Sequence, residues 1–154
     1  MSYWNSYQVF DYSGMIAETV NIPGADGKNV RAYWSRPIGG DAVPGIVLIH
    51  HMPGWDELNR EYCRRFAEHG YSVLCPNLYE NYGDGTPSEV VARAREGGGG
   101  LTDEDVMSRV GTCLTFLHTQ ANANGKVGVI GMCSGGRHTF LAACTLEGID
   151  AAVD

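Results

Sequence analysis

Two kinds of apolar patterning divide the chain. Up to about residue 40, apolar positions alternate or cluster as β-branched and aromatic residues over 15–22 and 30–36. The segment between them, Pro23-Gly24-Ala25-Asp26-Gly27-Lys28-Asn29, is turn chemistry, so the pair predicts an antiparallel hairpin. From Pro44 the pattern changes. Gly45-Ile46-Val47-Leu48-Ile49 is a short continuous apolar run, the mark of a strand buried on both faces. Residues 57–69 then place Leu58, Tyr62 and Phe66, with Cys63 and Ala67, at helical spacing. Asp56 is the predicted N-cap and Gly70 the predicted stop. Tyr71-Ser72-Val73-Leu74-Cys75 is the next buried strand, closed by Pro76. Strand alternating with helix predicts a parallel sheet joined by right-handed crossovers.

The same alternation continues to the end. Thr86-Pro87-Ser88-Glu89 combines a capping box with proline at the first helical position, predicting a helix over 88–96. Four glycines from Gly97 to Gly100 read as a connector, either a flexible linker or the hinge of a lid. Thr102-x-x-Asp105 opens a longer helix to about residue 120, with Val106, Val110, Leu114 and Leu117 as its apolar stripe. Asn122-Ala123-Asn124-Gly125 is a predicted turn. Lys126-Val127-Gly128-Val129-Ile130 is a third buried strand, residues 135–146 the helix after it, and residues 149–153 a fourth parallel strand. There are no internal repeats.

Composition narrows the function classes. The 154 residues fit one domain spanning 1–154, and 44% apolar against 19% charged residues is a folding composition rather than a disordered one. Eleven Lys+Arg against 18 Asp+Glu give a net charge of −7, which argues against a nucleic-acid partner. No apolar run approaches the roughly 18 residues that span a bilayer, and the polar start at residues 1–8 is unlike a secretory signal. No membrane partner is expected, and the expected location is the cytoplasm. The five cysteines show no C-x-x-C and no zinc-finger spacing. Free cysteines usually pack as small core residues, and four of the five are read that way. Cys133 is the exception.

Gly131-Met132-Cys133-Ser134-Gly135 joins a predicted buried strand to a predicted helix, where a G-x-nucleophile-x-G pentapeptide has mechanical meaning. Gly131 and Gly135 remove the Cβ atoms that would collide as strand and helix close on each other. The central side chain then projects above the carboxyl edge of the sheet. The backbone N–H of Ser134 points at the same spot and can stabilise an oxyanion. The helix N-terminus favours an anionic sulfur there. Centred on Ser134, only one flanking position would be glycine, so cysteine is the preferred nucleophile. The blander reading is a tight strand–helix turn with a buried cysteine. Neither G-x-G-x-x-G nor a phosphate-loop G-K-[ST] is present.

The second constellation, His50-His51-Met52-Pro53-Gly54-Trp55, follows the first buried strand. Loops at the carboxyl ends of adjacent parallel strands share one crevice, so this loop is expected to face Cys133, with the Met52 N–H as the other oxyanion donor. A metal site is not expected from the histidine pair, because neighbouring residues point apart and no carboxylates stand at motif spacing. The plain alternative is one packed histidine beside a solvated one. Arg93, Arg95 and Arg137 could hold a substrate carboxylate, although exposed helix faces explain all three. Trp55, Tyr79 and Tyr82 could line an apolar pocket.

On these stretches the chain resembles the dienelactone hydrolase (carboxymethylenebutenolidase) family. The matching segments run from Pro44 to Trp55, from His69 to Tyr79, and from Asn124 through Cys133 to Gly136. The resemblance implies an α/β-hydrolase fold: a mostly parallel sheet flanked by helices on both faces, with an N-terminal antiparallel β-hairpin. It implies Cys133 as the nucleophile of a Cys-His-Asp triad that cleaves an ester or lactone through a thioester, with no metal and no cofactor. The triad Asp and His are not found in these 154 residues. The chain is therefore expected to be the N-terminal part of the fold, the remaining half being a further segment or a second polypeptide. Where the family commonly carries a glutamate that manages the thiol proton, this sequence has His51, expected to contact the Cys133 sulfur. The rival readings are a silent binding domain that keeps the elbow, and a hydrolase of other activated acyl or phosphoryl substrates.

Overall fold

The computed structural model describes residues 12–25, 27–52, 54–96 and 100–154; the polar start at residues 1–8 and glycines 97–99 of the connector lie outside the described residues. Six strands form one sheet in the order β1 (Met15–Pro23), β2 (Asn29–Pro37), β4 (Ser72–Pro76), β3 (Val43–Ile49), β5 (Ala123–Gly131) and β6 (Ala151–Val153). β1 pairs antiparallel with β2, and β2 antiparallel with β4. The other three pairings are parallel. This is the expected α/β sheet, with the antiparallel hairpin at one edge.

Among the described residues four helices connect the strands: α1 (Glu57–Glu68), α2 (Pro87–Glu96), α3 (Asp103–His118) and α4 (Ser134–Thr145), with a short 3-10 turn at Glu80–Tyr82. Their starts follow local chemistry. Asp56 caps α1 by accepting from the Asn59 N–H, and Thr102 caps α3 by accepting from the Asp105 N–H. At α2 the Thr86 N–H donates to Glu89 Oε2 at 2.8 Å while the Glu89 N–H reaches the Thr86 hydroxyl at 3.4 Å, a reciprocal capping box.

Alternation along the central strands sorts side chains to two faces. Val47 and Ile49 of β3 and Leu74 of β4 pack with Val106, Val110, Leu114 and Leu117 of α3. Leu48 of β3 and Val73 and Cys75 of β4 pack the other way, onto Cys63, Tyr62 and Phe66 of α1. Helices therefore cover both faces.

Three local expectations are corrected. α1 buries Asn59, Cys63 and Ala67, whereas Leu58 is 43% exposed. The Asn59 amide faces inward, where its nitrogen meets His51 and Asp56. The segment expected as a turn at 122–125 is drawn into β5 from Ala123, through an irregular register opposite Val43 and Gly45. Cys63, Cys75 and Cys113 are buried as expected, but Cys144 is exposed on α4.

Candidate active site

β3 and β5 are neighbours, and Ile49 pairs with Gly131, so the two strands end level. The loops that leave them therefore meet at one edge of the sheet. From Gly131 the chain enters α4 within two residues. Cys133 takes φ 57° and ψ −121°, and is the only non-glycine residue with positive φ among the described residues. Such a conformation costs about 1–3 kcal/mol and persists only where its surroundings impose it. The Gly135 N–H bonds the Met132 carbonyl at 2.9 Å, and the Arg137 N–H bonds the Cys133 carbonyl at 3.2 Å.

The flanking glycines are demanded by close approach. A Cβ on Gly131 would overlap the Gly135 carbonyl and stand 2.7 Å from Thr139 Oγ1. A Cβ on Gly135 would overlap the Ile49 carbonyl oxygen and stand 3.0 Å from that of His50. The start of α4 thus rests directly on the end of β3. Cys133 itself is exposed, and no hydrogen bond joins its sulfur to another described residue. The N–H groups of Met52 and Ser134 are likewise without an acceptor among the described residues. Met52 is 41% exposed on the adjoining loop.

The two histidines of that loop have different surroundings. His50 is buried; its Nε2 accepts the Leu78 N–H at 3.2 Å, and its Nδ1 lies 2.9 Å from the His51 carbonyl. That pattern assigns the proton to Nδ1. Burial pushes the imidazole down to about 4. Tyr79 stacks on it at 5.8 Å. His51 departs from expectation. Its Nε2 lies 3.2 Å from Asp56 Oδ2, and its Nδ1 lies 3.2 Å from Asn59 Nδ2. The same Asn59 amide donates to Asp56 Oδ1 at 2.8 Å. Both ring nitrogens are thus engaged, and no hydrogen bond links His51 to the Cys133 sulfur. The physical reason is the N-cap carboxylate five residues downstream, which draws the ring toward α1.

A cavity of about 180 Å³ reaches Met52 and Ser134, with Leu78, Tyr79, Val91 and Ala94 among its walls. A larger cleft of about 480 Å³ shares Tyr79 and includes Trp55, flanked by Arg31 and Arg60. The Arg60 guanidinium lies 4.5 Å from the Trp55 ring centre. Tyr82 packs against Tyr79 and donates its hydroxyl to the Gly100 carbonyl at 2.7 Å. Of the three arginines, Arg93 holds the carbonyls of Tyr82 and Asp84, both at 2.7 Å. Arg137 forms a two-pronged pair with Asp103 at 2.6 and 2.8 Å. Arg95 is the one at the smaller cavity, its Nη2 3.3 Å from Met52 Sδ. Among the described residues no group of three or more His, Cys, Asp or Glu is placed to hold a metal ion.

Sequence reasoning missed His138, whose ring lines the smaller cavity. The available signal was its position one helical turn beyond Ser134.

The model of the dienelactone hydrolase family matches residues 30–154. The chain belongs to the dienelactone hydrolase family. Among relatives, it is 33% identical over 152 residues to the "Putative carboxymethylenebutenolidase" of Methylorubrum extorquens, covering 93% of this chain and 50% of that one. It is 31% identical over 134 residues to the carboxymethylenebutenolidase of Pseudomonas putida, covering 84% and 56%. The chain spans about half the length of the curated relatives it matches. Among solved structures, the "Putative Dienelactone Hydrolase" of Klebsiella pneumoniae superposes with a TM-score of 0.77 at 26% identity, covering 90% of this chain and 59% of that one. The strand order and the elbow between β5 and α4 are thus set in an α/β-hydrolase fold.

Proposed function

We propose that this protein hydrolyses ester or lactone bonds with Cys133 as its nucleophile. The observation that carries the reading is the exposed sulfur held at φ 57° on the strand-to-helix elbow, at the sheet edge where β3 ends and the loop of Met52 begins. Kinship with proteins named carboxymethylenebutenolidase supports a lactone or other carboxylic ester as the substrate class.

The sulfur adds to the carbonyl carbon, and the Met52 and Ser134 N–H groups receive the developing oxyanion. Collapse expels the alkoxide, which takes up the proton that the thiol gave up, and leaves a thioester on Cys133. Water then attacks the thioester, releases the acid and restores the thiol. Donors placed before the reaction spend no energy on reorientation, and loss of one such donor typically costs about 100-fold or more in rate. His51, tied to Asp56 and Asn59, orders the loop that carries Met52.

The test is intact-mass analysis of the full-length protein during turnover of p-nitrophenyl acetate. One acetyl group on Cys133, absent from Cys133→Ala, supports the reading. Ester hydrolysis undiminished in Cys133→Ala contradicts it, as does a full-length protein that neither hydrolyses the ester nor acquires an adduct; the latter fits a silent binding domain.

A further inference from the structure

His50 joins three parts of the candidate site. It stands just past the end of β3 and is 1% exposed. Its Nδ1–H donates to the His51 carbonyl at 2.9 Å, and its Nε2 accepts the Leu78 N–H at 3.2 Å. Its own carbonyl oxygen is one of the backbone atoms on which Gly135 rests, 3.0 Å from where a Cβ of that glycine would be. The loop that follows folds back onto the ring. At Gly54, where φ is 104°, a Cβ would stand 2.6 Å from Cε1 and 2.9 Å from Nδ1 of His50.

The His51 carbonyl and the Met52 N–H belong to one peptide unit. Such a unit is planar and, outside X–Pro bonds, trans, so its N–H points opposite to its C=O. The carbonyl end is held against a buried ring, so the N–H end faces away from that ring. We propose, resting on the reading of Cys133 as nucleophile and of the Met52 N–H as an oxyanion donor, that His50 is the positioning residue of the oxyanion hole: its Nδ1–H bond to the His51 carbonyl sets the aim of the Met52 N–H.

The other ring nitrogen makes that bond dependable. A neutral imidazole has one donor and one acceptor held apart by a rigid ring. Burial keeps His50 neutral, holding its pKa at about 4. With Nε2 taken by the Leu78 N–H, the proton stays on Nδ1, where the His51 carbonyl receives it. Leu78 is a firm anchor: it is buried, and the N–H of Asn77 before it bonds the Arg31 carbonyl at 2.7 Å. His50 is thus a strut between the ends of β3 and β4, and the peptide that leaves it has one orientation. The same hydrogen bond polarises the amide and strengthens its N–H as a donor.

The two ring nitrogens can be kept one at a time. Asparagine places an amide nitrogen where Nδ1 stands, and glutamine an amide oxygen where Nε2 stands. For wild type, His50→Asn and His50→Gln in the full-length protein, three quantities are measured: kcat/KM for phenyl acetate, the rate of Cys133 alkylation by iodoacetamide, and the urea midpoint. Alkylation displaces iodide and builds no oxyanion, so it reads the sulfur alone. His50→Gln is expected to lose about tenfold or more in kcat/KM, toward the roughly 100-fold cost of a missing oxyanion donor, with its alkylation rate unchanged. His50→Asn should keep most of kcat/KM although it forfeits the Leu78 bond and unfolds at lower urea. A histidine that only holds the fold would make activity follow stability in both variants. That result overturns the proposal, as does His50→Gln hydrolysing the ester like wild type, or ester and alkylation rates falling together. Should His50→Gln fail to fold, His50→Asn decides: retained activity supports the assignment, and a loss of about tenfold or more overturns it. Ester hydrolysis that survives in Cys133→Ala would count against the nucleophile instead, so the two failures are told apart.

Discussion

Replacing Gly135 by alanine reverses the usual effect of that substitution in a helix. Where space is open, Gly→Ala in a helix stabilises a protein by up to about 1 kcal/mol, through helix propensity and a less flexible unfolded chain. At Gly135 the added methyl overlaps the Ile49 carbonyl oxygen and crowds that of His50. Both are backbone atoms at the end of a buried central strand, so neither can swing aside as a side chain would. Overpacking of this kind costs about 1–3 kcal/mol and occasionally more. Taking about 3 for a backbone clash and subtracting about 1 for the propensity gain leaves a loss of about 2 kcal/mol. For a domain of this size that lowers a urea midpoint by about 1 M. Gly136 supplies the control: its methyl meets the Gly131 carbonyl oxygen at 3.5 Å, ordinary contact. Urea unfolding of the full-length protein, followed by circular dichroism, should therefore show Gly135→Ala destabilised and Gly136→Ala close to wild type. Gly135→Ala matching or exceeding wild type would refute the close packing of α4 on β3.

Other consequences are as specific. Gly111 sits in α3 with nothing within 4 Å of an added Cβ, so Gly111→Ala should stabilise by about 0.5–1 kcal/mol in the same assay. The buried His50 takes up its proton at about 4 when folded, against 6.5 ordinarily. The unfolded chain then holds the extra proton between those values, so stability is full above about pH 6.5 and falls by up to about 3 kcal/mol as pH drops through 4. Urea midpoints from pH 7 to 4 should show that decline, and His50→Gln, whose side-chain oxygen can still accept the Leu78 N–H, should flatten it. Asp56→Ala removes the α1 cap and the partner of His51, and should cost about 1–2 kcal/mol, whereas Asp56→Asn should retain most of the cap.

Much of the architecture was legible because local signals agreed with the tertiary ones. The continuous apolar runs became the central strands, Asp56 and Thr102 became caps, and the four-residue stripe of α3 is buried along its length. The glycine spacing around Cys133 located the elbow, since only a backbone collision explains glycine at both positions. What was not legible depends on contacts across the sequence. Asn59 looks like a surface polar residue until its amide is seen bridging Asp56 and His51. Alignment along one strand points His51 at the sulfur, but its ring nitrogens meet the N-cap Asp56 and Asn59 of the following helix. His138 carries no motif, and it lines a cavity with Ala94, Leu101 and Tyr79, which come from other segments.

The proposed hydrolysis rests on the exposed Cys133 sulfur. Cys133 and Cys144 are the exposed thiols, while Cys63, Cys75 and Cys113 are buried. Limiting iodoacetamide on the full-length protein, with each site quantified by peptide mass spectrometry, therefore separates them. Esterase activity should fall in direct proportion to Cys133 alkylation and be indifferent to Cys144. Full alkylation of Cys133 with ester hydrolysis intact would contradict the account.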